Sequence, residues 1–296
     1  GTADAHLSDG VISLEGAYSA QLRLDAPDLS DDVLALAFQS FFCSDKPILY
    51  PDITYSFYPV WCEMLHIPFE TIPVDDSFNI NAADYKRPNG GVVIANPNAP
   101  TSIGRGLDFM REILDANPDS VVISDEAYVD FGGTSSVPLL KEYENLVVVQ
   151  TFSKSRSMAG MRIGYALGNK EIISALFAAK GSYNSYPLDS VAIAAGVASV
   201  EDEEYFRATV QKVVATRRRL TEELRAMGFD VADSSTNFLF AEHPKYRAKD
   251  IQEYLKTRDI YVRYFSKKRI DNRLRITIGT DEEIDALISA LRDYIK

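Results

Sequence analysis

The sequence predicts an α/β fold, a mostly parallel sheet with helices on both faces, followed by a smaller C-terminal α+β domain. Several short runs are continuously apolar and rich in valine and isoleucine, as in strands that are buried on both faces. Amphipathic segments with helical spacing lie between several of these runs. This alternation is typical of strands joined by helical crossovers.

The predicted strands of the large sheet are residues 48–50, 92–95, 121–124, 146–150 and 163–167. The segment 31–43 is predicted to be a helix that turns residues such as Val33, Leu34 and Phe38 inward, and 106–116 is predicted to be a second helix. Together these elements predict a large domain over residues 30–200, which follows an N-terminal arm over 1–29.

After Pro187 the pattern changes to longer helical segments. Helices are predicted at 188–200 and 203–227, the second ended by Gly228. They are followed by an apolar run at 237–241, a helix at 249–257, strands at 260–263 and 274–278, and a last helix from Glu282. These elements predict a small C-terminal domain over residues 201–296.

The composition argues against several classes of partner. The formal net charge is -12, whereas nucleic acids and anionic membranes select basic surfaces. Cys43 and Cys62 lack a Cys-x-x-Cys spacing, so we expect free thiols in a cytoplasmic protein. His6, His66 and His243 lack the spacing of zinc ligands, so no metal site is predicted. No apolar run has the length of a membrane span.

Polar residues follow three of the predicted strands. Asp125 comes directly after strand 121–124, residues 151–154 follow strand 146–150, and an Asn- and Pro-rich stretch follows strand 92–95. Ligands of open α/β sheets bind outside the carboxyl ends of the strands. A carboxylate, an amine, hydroxyls and an amide are therefore expected to meet in one crevice.

Such a set matches the chemistry of an electron-sink cofactor. A lysine such as Lys154 can hold the cofactor covalently and then move a proton as general base. A buried carboxylate such as Asp125 keeps a pyridine nitrogen protonated. Arg162, eight residues after Lys154, can bind a phosphate together with nearby hydroxyls.

Four short motifs occur in a characteristic order. They are Asn-Pro-Asn-Ala-Pro-Thr at 96–101, Asp-Glu-Ala-Tyr at 125–128, Thr-Phe-Ser-Lys at 151–154 and Gly-Met-Arg-Ile-Gly at 160–164. Each is weak alone, but together they resemble the successive signatures of the class I/II aminotransferases of fold type I. The resemblance runs from about Ser30 to the C-terminus and implies pyridoxal 5'-phosphate as cofactor.

The resemblance also implies roles for single residues. Lys154 is the lysine that carries the cofactor and acts as catalytic base, Asp125 pairs with the pyridine nitrogen, and Tyr128 bonds the phenolic oxygen of the ring. Tyr55 stacks on the ring. The implied phosphate ligands are Thr151, Ser153, Arg162, and Ser30 and Asp31 at the start of the first helix, where free amides favour an anion.

The sequence departs from the family pattern at three places. Ala99 stands where the family has an asparagine that contacts the ring oxygen, and Asn98 is the nearest amide that can replace it. Leu29 stands at a glycine position. The arm before Ser30 is short, which implies either a natural contraction or a sequence that omits residues, and we favour the second.

A further resemblance concerns the substrate. The run Ile-Tyr-Val-Arg-Tyr-Phe at 260–265, followed by Arg275, is similar to histidinol-phosphate aminotransferases. In that family the residue matching Arg263 contacts the substrate phosphate, and the one matching Arg275 clamps a carboxylate. The resemblance implies a homodimer that exchanges an amino group between histidinol phosphate and 2-oxoglutarate in histidine biosynthesis. An aromatic amino acid aminotransferase, a phosphothreonine decarboxylase and a non-catalytic relative remain as alternatives.

Overall fold

The structure, a computed structural model, describes the backbone of residues 4–8, 11–15, 20–23 and 29–295, and the side chains of 31–295 except Tyr183. The N-terminal part contributes a three-stranded antiparallel sheet of β1 (Asp4–Ser8), β2 (Val11–Glu15) and β3 (Ala20–Arg23). The Ser30 side chain lies outside the described residues.

The large sheet has six strands in the order β5-β4-β6-β7-β8-β9. These strands are β4 (Ile48–Pro51), β5 (Phe69–Ile72), β6 (Gly91–Ala95), β7 (Val122–Asp125), β8 (Leu146–Thr151) and β9 (Gly164–Leu167). All neighbours pair in parallel except β9, which is antiparallel to β8. The predicted α/β class and mostly parallel sheet are confirmed.

Successive residues of the central strands are buried in two different cores. Val92 and Ile94 of β6 belong to one core with helix α3 (Leu107–Ala116), whereas Val93 and Ala95 belong to the other. The second core also contains residues of α1 (Leu29–Phe41), α2 (Tyr58–Leu65) and α4 (Lys170–Tyr183). A sheet covered on both faces needs apolar residues at every position, which explains the continuous apolar runs.

The C-terminal part has its own antiparallel sheet, in the order β10-β11-β13-β12. Its strands are β10 (Asp230–Val231), β11 (Phe238–Glu242), β12 (Arg263–Tyr264) and β13 (Arg273–Thr277). They pack with α6 (Glu203–Ala226), α7 (Ala248–Lys256) and α8 (Asp281–Tyr294), and α5 (Ser190–Glu201) precedes α6. Phe240 and Ile270 join a core of the large sheet, so the two sheets share buried contacts.

The structure differs from the sequence expectations at several places, among them strand β5, which was not predicted. Of the strand expected at 260–263, only Arg263 pairs in β12, because Ile260 and Val262 pack against the core of the small sheet instead. Helices α2 and α4 were not predicted. Among the described residues, no helix combines the length and apolar character that a membrane span requires.

Candidate active site

A cavity lies at the carboxyl ends of β6, β7 and β8. Residues from the ends of these strands and from α1 and the loop before α2 line it: Asp31, Tyr55, Ala95, Pro97, Ala99, Asp125, Ala127, Tyr128 and Lys154. Parallel pairing sets Ala95 of β6 beside Asp125 of β7. Five of the predicted site residues are thus brought to one place, namely Asp31, Tyr55, Asp125, Tyr128 and Lys154.

Asp125 ends β7 as a buried carboxylate. Its Oδ2 accepts a hydrogen bond from the Tyr58 hydroxyl at 2.6 Å, and its Oδ1 accepts one from the Ala127 amide at 3.3 Å. Burial raises the pKa of Asp125 to about 6, although the hydrogen bond from Tyr58 lowers it. Asp125 therefore faces the cavity as a carboxyl group whose ionisation costs more free energy than that of an exposed aspartate.

Lys154 follows β8 and lies over an aromatic ring. Its Nζ is 5.4 Å from the centre of the Tyr128 ring, which in turn meets the Phe238 ring edge-on at 5.1 Å. Within the described part of the chain, no carboxylate forms a salt bridge with Lys154. The amine is thus available for a group bound in the cavity.

Tyr55 connects two cavities. Its hydroxyl donates a hydrogen bond to Asp31 Oδ1 at 2.8 Å, and the ring lines both this cavity and a larger one beside it. The Asp31 carboxylate repels an anion, so a phosphate at this end of α1 can use only backbone amides. The expectation that Asp31 binds phosphate is therefore restricted to its backbone amide.

The three remaining predicted phosphate ligands lie near one another but outside the cavity lining. Thr151 Oγ1 donates to the Ile163 carbonyl at 3.2 Å and accepts from the Ser153 amide at 3.1 Å. The Ser153 hydroxyl is buried and has no hydrogen-bond partner among the described residues. Arg162 has the left-handed φ of 59° and donates to the Ala159 carbonyl at 3.2 Å. An unpartnered buried hydroxyl calls for a missing partner, and a phosphate oxygen suits it.

Asn98 is not brought to the cavity. Its Nδ2 donates to the Ile53 carbonyl and to Thr101 Oγ1, both at 2.9 Å, and its Oδ1 accepts from Thr54 Oγ1 at 2.7 Å. The amide is buried and connects two loops, while its neighbour Ala99 lines the cavity. The expected replacement of the family asparagine by Asn98 therefore has no geometric support.

The larger cavity has a volume of about 670 Å³ and is lined by both predicted substrate arginines. Arg263 of β12 and Arg275 of β13 are directly opposed in the strand register. The Arg275 guanidinium lies 5.1 Å from the centre of the Phe238 ring, and its buried Nε has no hydrogen-bond partner in the part of the chain that the structure describes. Neither arginine forms a salt bridge with any described residue. Two unneutralised cations make this cavity a binding place for anions.

Sequence reasoning missed two residues of this region. Tyr58 was not connected with Asp125, from which it is separated by 67 positions. Glu126 was not assigned a role. Its buried carboxylate accepts hydrogen bonds from Ser135 Oγ at 2.6 Å, the Ser136 amide at 2.6 Å and Gln150 Nε2 at 2.8 Å. It fixes the segment that follows Asp125, and the Asp-Glu pair of the motif was the available signal.

Comparison with known proteins identifies the family. The family model for aminotransferase class I and II matches residues 30–291. This chain is a class I and II aminotransferase. It is 51% identical over 267 residues to the histidinol-phosphate aminotransferase of Lactococcus lactis subsp. lactis (strain IL1403), covering 90% of this chain and 74% of that protein. It is 53% identical over 290 residues to histidinol-phosphate aminotransferase 2 of Dechloromonas aromatica (strain RCB), covering 98% and 81%.

The fold agrees with solved structures of related enzymes. The histidinol-phosphate aminotransferase from Sinorhizobium meliloti, solved in complex with pyridoxal-5'-phosphate, superimposes with a TM-score of 0.81. It is 22% identical, and the match covers 91% of this chain and 76% of that one. Class I and II aminotransferases depend on pyridoxal 5'-phosphate, so this chain is a transferase that uses that cofactor.

The residues at the cavity fit this cofactor. Lys154 and Asp125 line the cavity and provide an amine and a buried carboxylate. Ser153, outside the lining, provides a buried hydroxyl that is unpartnered among the described residues. Among the described residues, no cluster of three or more His, Cys, Asp or Glu side chains could hold a metal ion.

Proposed function

We propose that this aminotransferase converts L-histidinol phosphate and 2-oxoglutarate to imidazole-acetol phosphate and L-glutamate, a step of histidine biosynthesis. The observation that carries the proposal is the unneutralised pair Arg263 and Arg275 in one cavity beside the cofactor residues. Relatives that bear the name of this enzyme are about half identical to the chain over most of its length.

The cofactor residues divide into three groups. Lys154 holds the cofactor and moves the proton at the substrate α-carbon. Asp125 holds the proton of the ring nitrogen, Tyr128 donates to the ring oxygen, and Tyr55 packs against the ring. The phosphate group is bound by Thr151, Ser153 and Arg162, with the first amides of α1 at Ser30 and Asp31. When bound, pyridoxal 5'-phosphate supplies a ring that takes up electrons from the α-carbon.

The two arginines serve different partners of the exchange. Glutamate presents a carboxylate at its reacting carbon, whereas histidinol phosphate has a phosphate and no carboxylate. Arg275 is closer to the cofactor residues, since its guanidinium and Tyr128 contact the same Phe238 ring. We assign the glutamate carboxylate to Arg275 and the substrate phosphate to the more exposed Arg263.

The decisive measurement compares kcat/KM for histidinol phosphate, phenylalanine, tyrosine and phosphothreonine. A clear preference for histidinol phosphate is expected. A preference for an unphosphorylated aromatic amino acid would contradict the proposal, and release of CO2 from phosphothreonine would reassign the chain as a decarboxylase. A protein that cannot be loaded with cofactor would be a non-catalytic relative.

The Arg263→Ala variant tests the phosphate assignment. Loss of a charge-assisted contact is expected to lower kcat/KM for histidinol phosphate by roughly 10- to 100-fold. The half-reaction with glutamate is expected to be nearly unchanged. Lys268→Ala, which removes an exposed cation from the loop after β12, is the matched control. Equal losses with both substrates would show that Arg263 does not recognise phosphate.

We also propose that the chain acts as a homodimer in the cytoplasm. Phe57, Val60 and Met64 form an exposed apolar stripe along α2, and Phe57 also lines the larger cavity. Contiguous exposed apolar residues mark protein contacts. Light scattering of Val60→Glu is expected to show monomers, whereas Tyr261→Glu, at an exposed aromatic residue elsewhere, is expected to stay dimeric.

The free thiols of Cys43 and Cys62 support a reducing compartment, which cell fractionation checks.

A further inference from the structure

Tyr58 makes a buried contact with the carboxylate at the centre of the site. It is the first residue of α2, its side chain is fully buried, and its hydroxyl is 2.6 Å from Asp125 Oδ2. Among the described residues, Tyr58 is the single side-chain donor to Asp125, and the second donor is the Ala127 amide at 3.3 Å. The short bond is therefore the stronger of the two.

The ring of Tyr58 is fixed by other aromatic rings. Phe38 stacks on it at 6.0 Å between ring centres, and the Tyr50 and Tyr55 rings meet it edge-on at 5.7 Å and 5.6 Å. These contacts involve the ring and not the hydroxyl. The hydroxyl is thus held in one direction, and its removal leaves the packing intact.

Several titratable groups surround Asp125. The titratable groups that face it are Asp31 of α1, Tyr55 and Tyr58 at α2, the adjacent Glu126, Tyr128, and Lys154 after β8. Burial and the charges of Asp31 and Glu126 raise the pKa of Asp125, and the hydrogen bonds from Tyr58 and Ala127 lower it. Burial and the neighbouring Asp125 raise the pKa of Tyr58 well above its ordinary value. The Tyr58 hydroxyl therefore stays protonated and donates its hydrogen bond to Asp125 throughout the working range of pH.

We infer that Tyr58 is a positioning residue, which keeps Asp125 ionised and oriented toward the ring nitrogen of the cofactor. Asp125 can hold the proton of that nitrogen only as a carboxylate. Of the side chains that the structure describes, Tyr58 is the one that stabilises this form by a hydrogen bond. Tyr58 itself lines neither cavity and reaches the cofactor cavity through its bond to Asp125, so it acts through Asp125.

The test is the pH dependence of cofactor affinity in Tyr58→Phe. Pyridoxal 5'-phosphate is titrated into apoenzyme between pH 5 and 9, and binding is followed by visible absorbance. Because the carboxyl group of the apoenzyme must lose its proton before the cofactor binds, the Kd at pH 5 is expected to rise roughly 10-fold, whereas the Kd at pH 9 is expected to stay nearly unchanged. The midpoint below which affinity falls is expected to move to higher pH by roughly one unit, since the carboxylate is less stabilised. Cofactor affinity is measured without substrate, so the outcome for Tyr58 is independent of the substrate assignment.

Tyr85→Phe is the matched control. Tyr85 is equally buried, and its hydroxyl has no hydrogen-bond partner within residues 31–295, so the same chemical change breaks no described hydrogen bond there. Its affinity and midpoint are expected to equal those of the wild type. An affinity loss in Tyr58→Phe by the same factor at every pH, with an unmoved midpoint, would reduce Tyr58 to a packing residue and overturn the inference.

A second replacement covers the case in which Tyr58→Phe does not fold. Site-specific incorporation of 3-fluorotyrosine at position 58 keeps the ring and the hydroxyl while making the phenol a stronger donor. The midpoint is then expected to move to lower pH. In an Asp125→Asn background, which has no carboxylate, neither replacement is expected to move any midpoint. A shift that persists in that background contradicts the role of Tyr58.

Discussion

The cofactor cavity and the substrate cavity adjoin at Tyr55 and Ala99 but differ in how their polar groups are partnered. In the first, the key carboxylate is buried and hydrogen-bonded from an aromatic cluster. In the second, two arginines face each other from an antiparallel edge, and no described carboxylate neutralises them. The cofactor stays bound through each turnover and is held by side chains with fixed hydrogen bonds. The substrates alternate and are bound by charges that are accessible from solvent.

Lys154→Ala is expected to have the largest effect, because it removes the amine that both holds the cofactor and moves the proton. Turnover should fall by at least roughly 10³-fold. Lys154→Arg, which keeps the charge, should be equally inactive. Single-turnover absorbance with glutamate measures this, with Lys268→Ala as a control that retains activity. Substantial turnover by Lys154→Ala would place the catalytic base elsewhere.

Asp125→Asn is expected to stabilise the apoenzyme above pH 6. The pKa of Asp125 is raised to about 6 in the folded chain, from its ordinary value of 3.8. The folded chain therefore binds the proton more tightly, and the free energy of unfolding falls as pH rises from about 4 to 6. Over this range the free energy of unfolding of the wild type falls by about 3 kcal/mol. The Asp125→Asn variant has no carboxylate at this position and does not show this fall.

Urea unfolding of wild-type and Asp125→Asn apoenzyme measures this difference. The two curves should nearly coincide near pH 4 and separate by pH 7.5, while cofactor affinity is weakened but still measurable in the variant. Asp119→Asn, at an exposed carboxylate, should show no such separation. If Asp125→Asn is less stable than the wild type at pH 7.5, the charge of Asp125 is not costly.

Arg275→Ala is expected to weaken the substrate side alone. Without its bidentate contact, kcat/KM for glutamate should fall by roughly 10- to 100-fold, and cofactor affinity should be unchanged. Stopped-flow bleaching of the cofactor absorbance by glutamate measures the first quantity. Loss of cofactor binding in this variant would show that the two cavities are not separate in function.

Arg269→Ala is expected to have the smallest effect. Arg269 joins the small-sheet side to the loops after β4 and β5. It donates to Asp52 Oδ2 at 2.9 Å in the first loop, and to the carbonyls of Val74 and Asp75 at 2.8 and 2.9 Å in the second. Because the group is partly exposed, its loss should lower the free energy of unfolding by about 1 kcal/mol and raise KM a few-fold. Arg87→Ala, which breaks an exposed pair with Glu70, should change neither.

Most strands of the large sheet could be predicted from the sequence, because burial on both faces requires apolar residues at every position. Residues 92–95 were expected and Gly91–Ala95 is observed. At 260–263 the same apolar character gave a wrong strand, because a short apolar run does not tell pairing from packing. Helix α4 escaped prediction because its alanine-rich sequence has little amphipathic contrast.

Site residues at strand ends could be found because parallel strands bring their ends to one edge. Asp125 ends β7, Lys154 follows the adjacent β8, and both line one cavity. The direction of the Asn98 amide could not be found, since it depends on the Ile53 carbonyl, which lies 45 positions away. The bond between Tyr58 and Asp125 spans 67 positions and was hidden in an aromatic run for the same reason.

The opposed arginines of β12 and β13 connect substrate binding with local order. Like charges directly across a strand pair disfavour pairing, and β12 is a two-residue strand at the edge of its sheet. An anion between the guanidinium groups removes that repulsion, so occupancy of the cavity and closure of this edge are linked equilibria. Hydrogen exchange at the Arg263 and Tyr264 amides should slow as the cavity fills, so that an edge strand reports the presence of substrate without turnover.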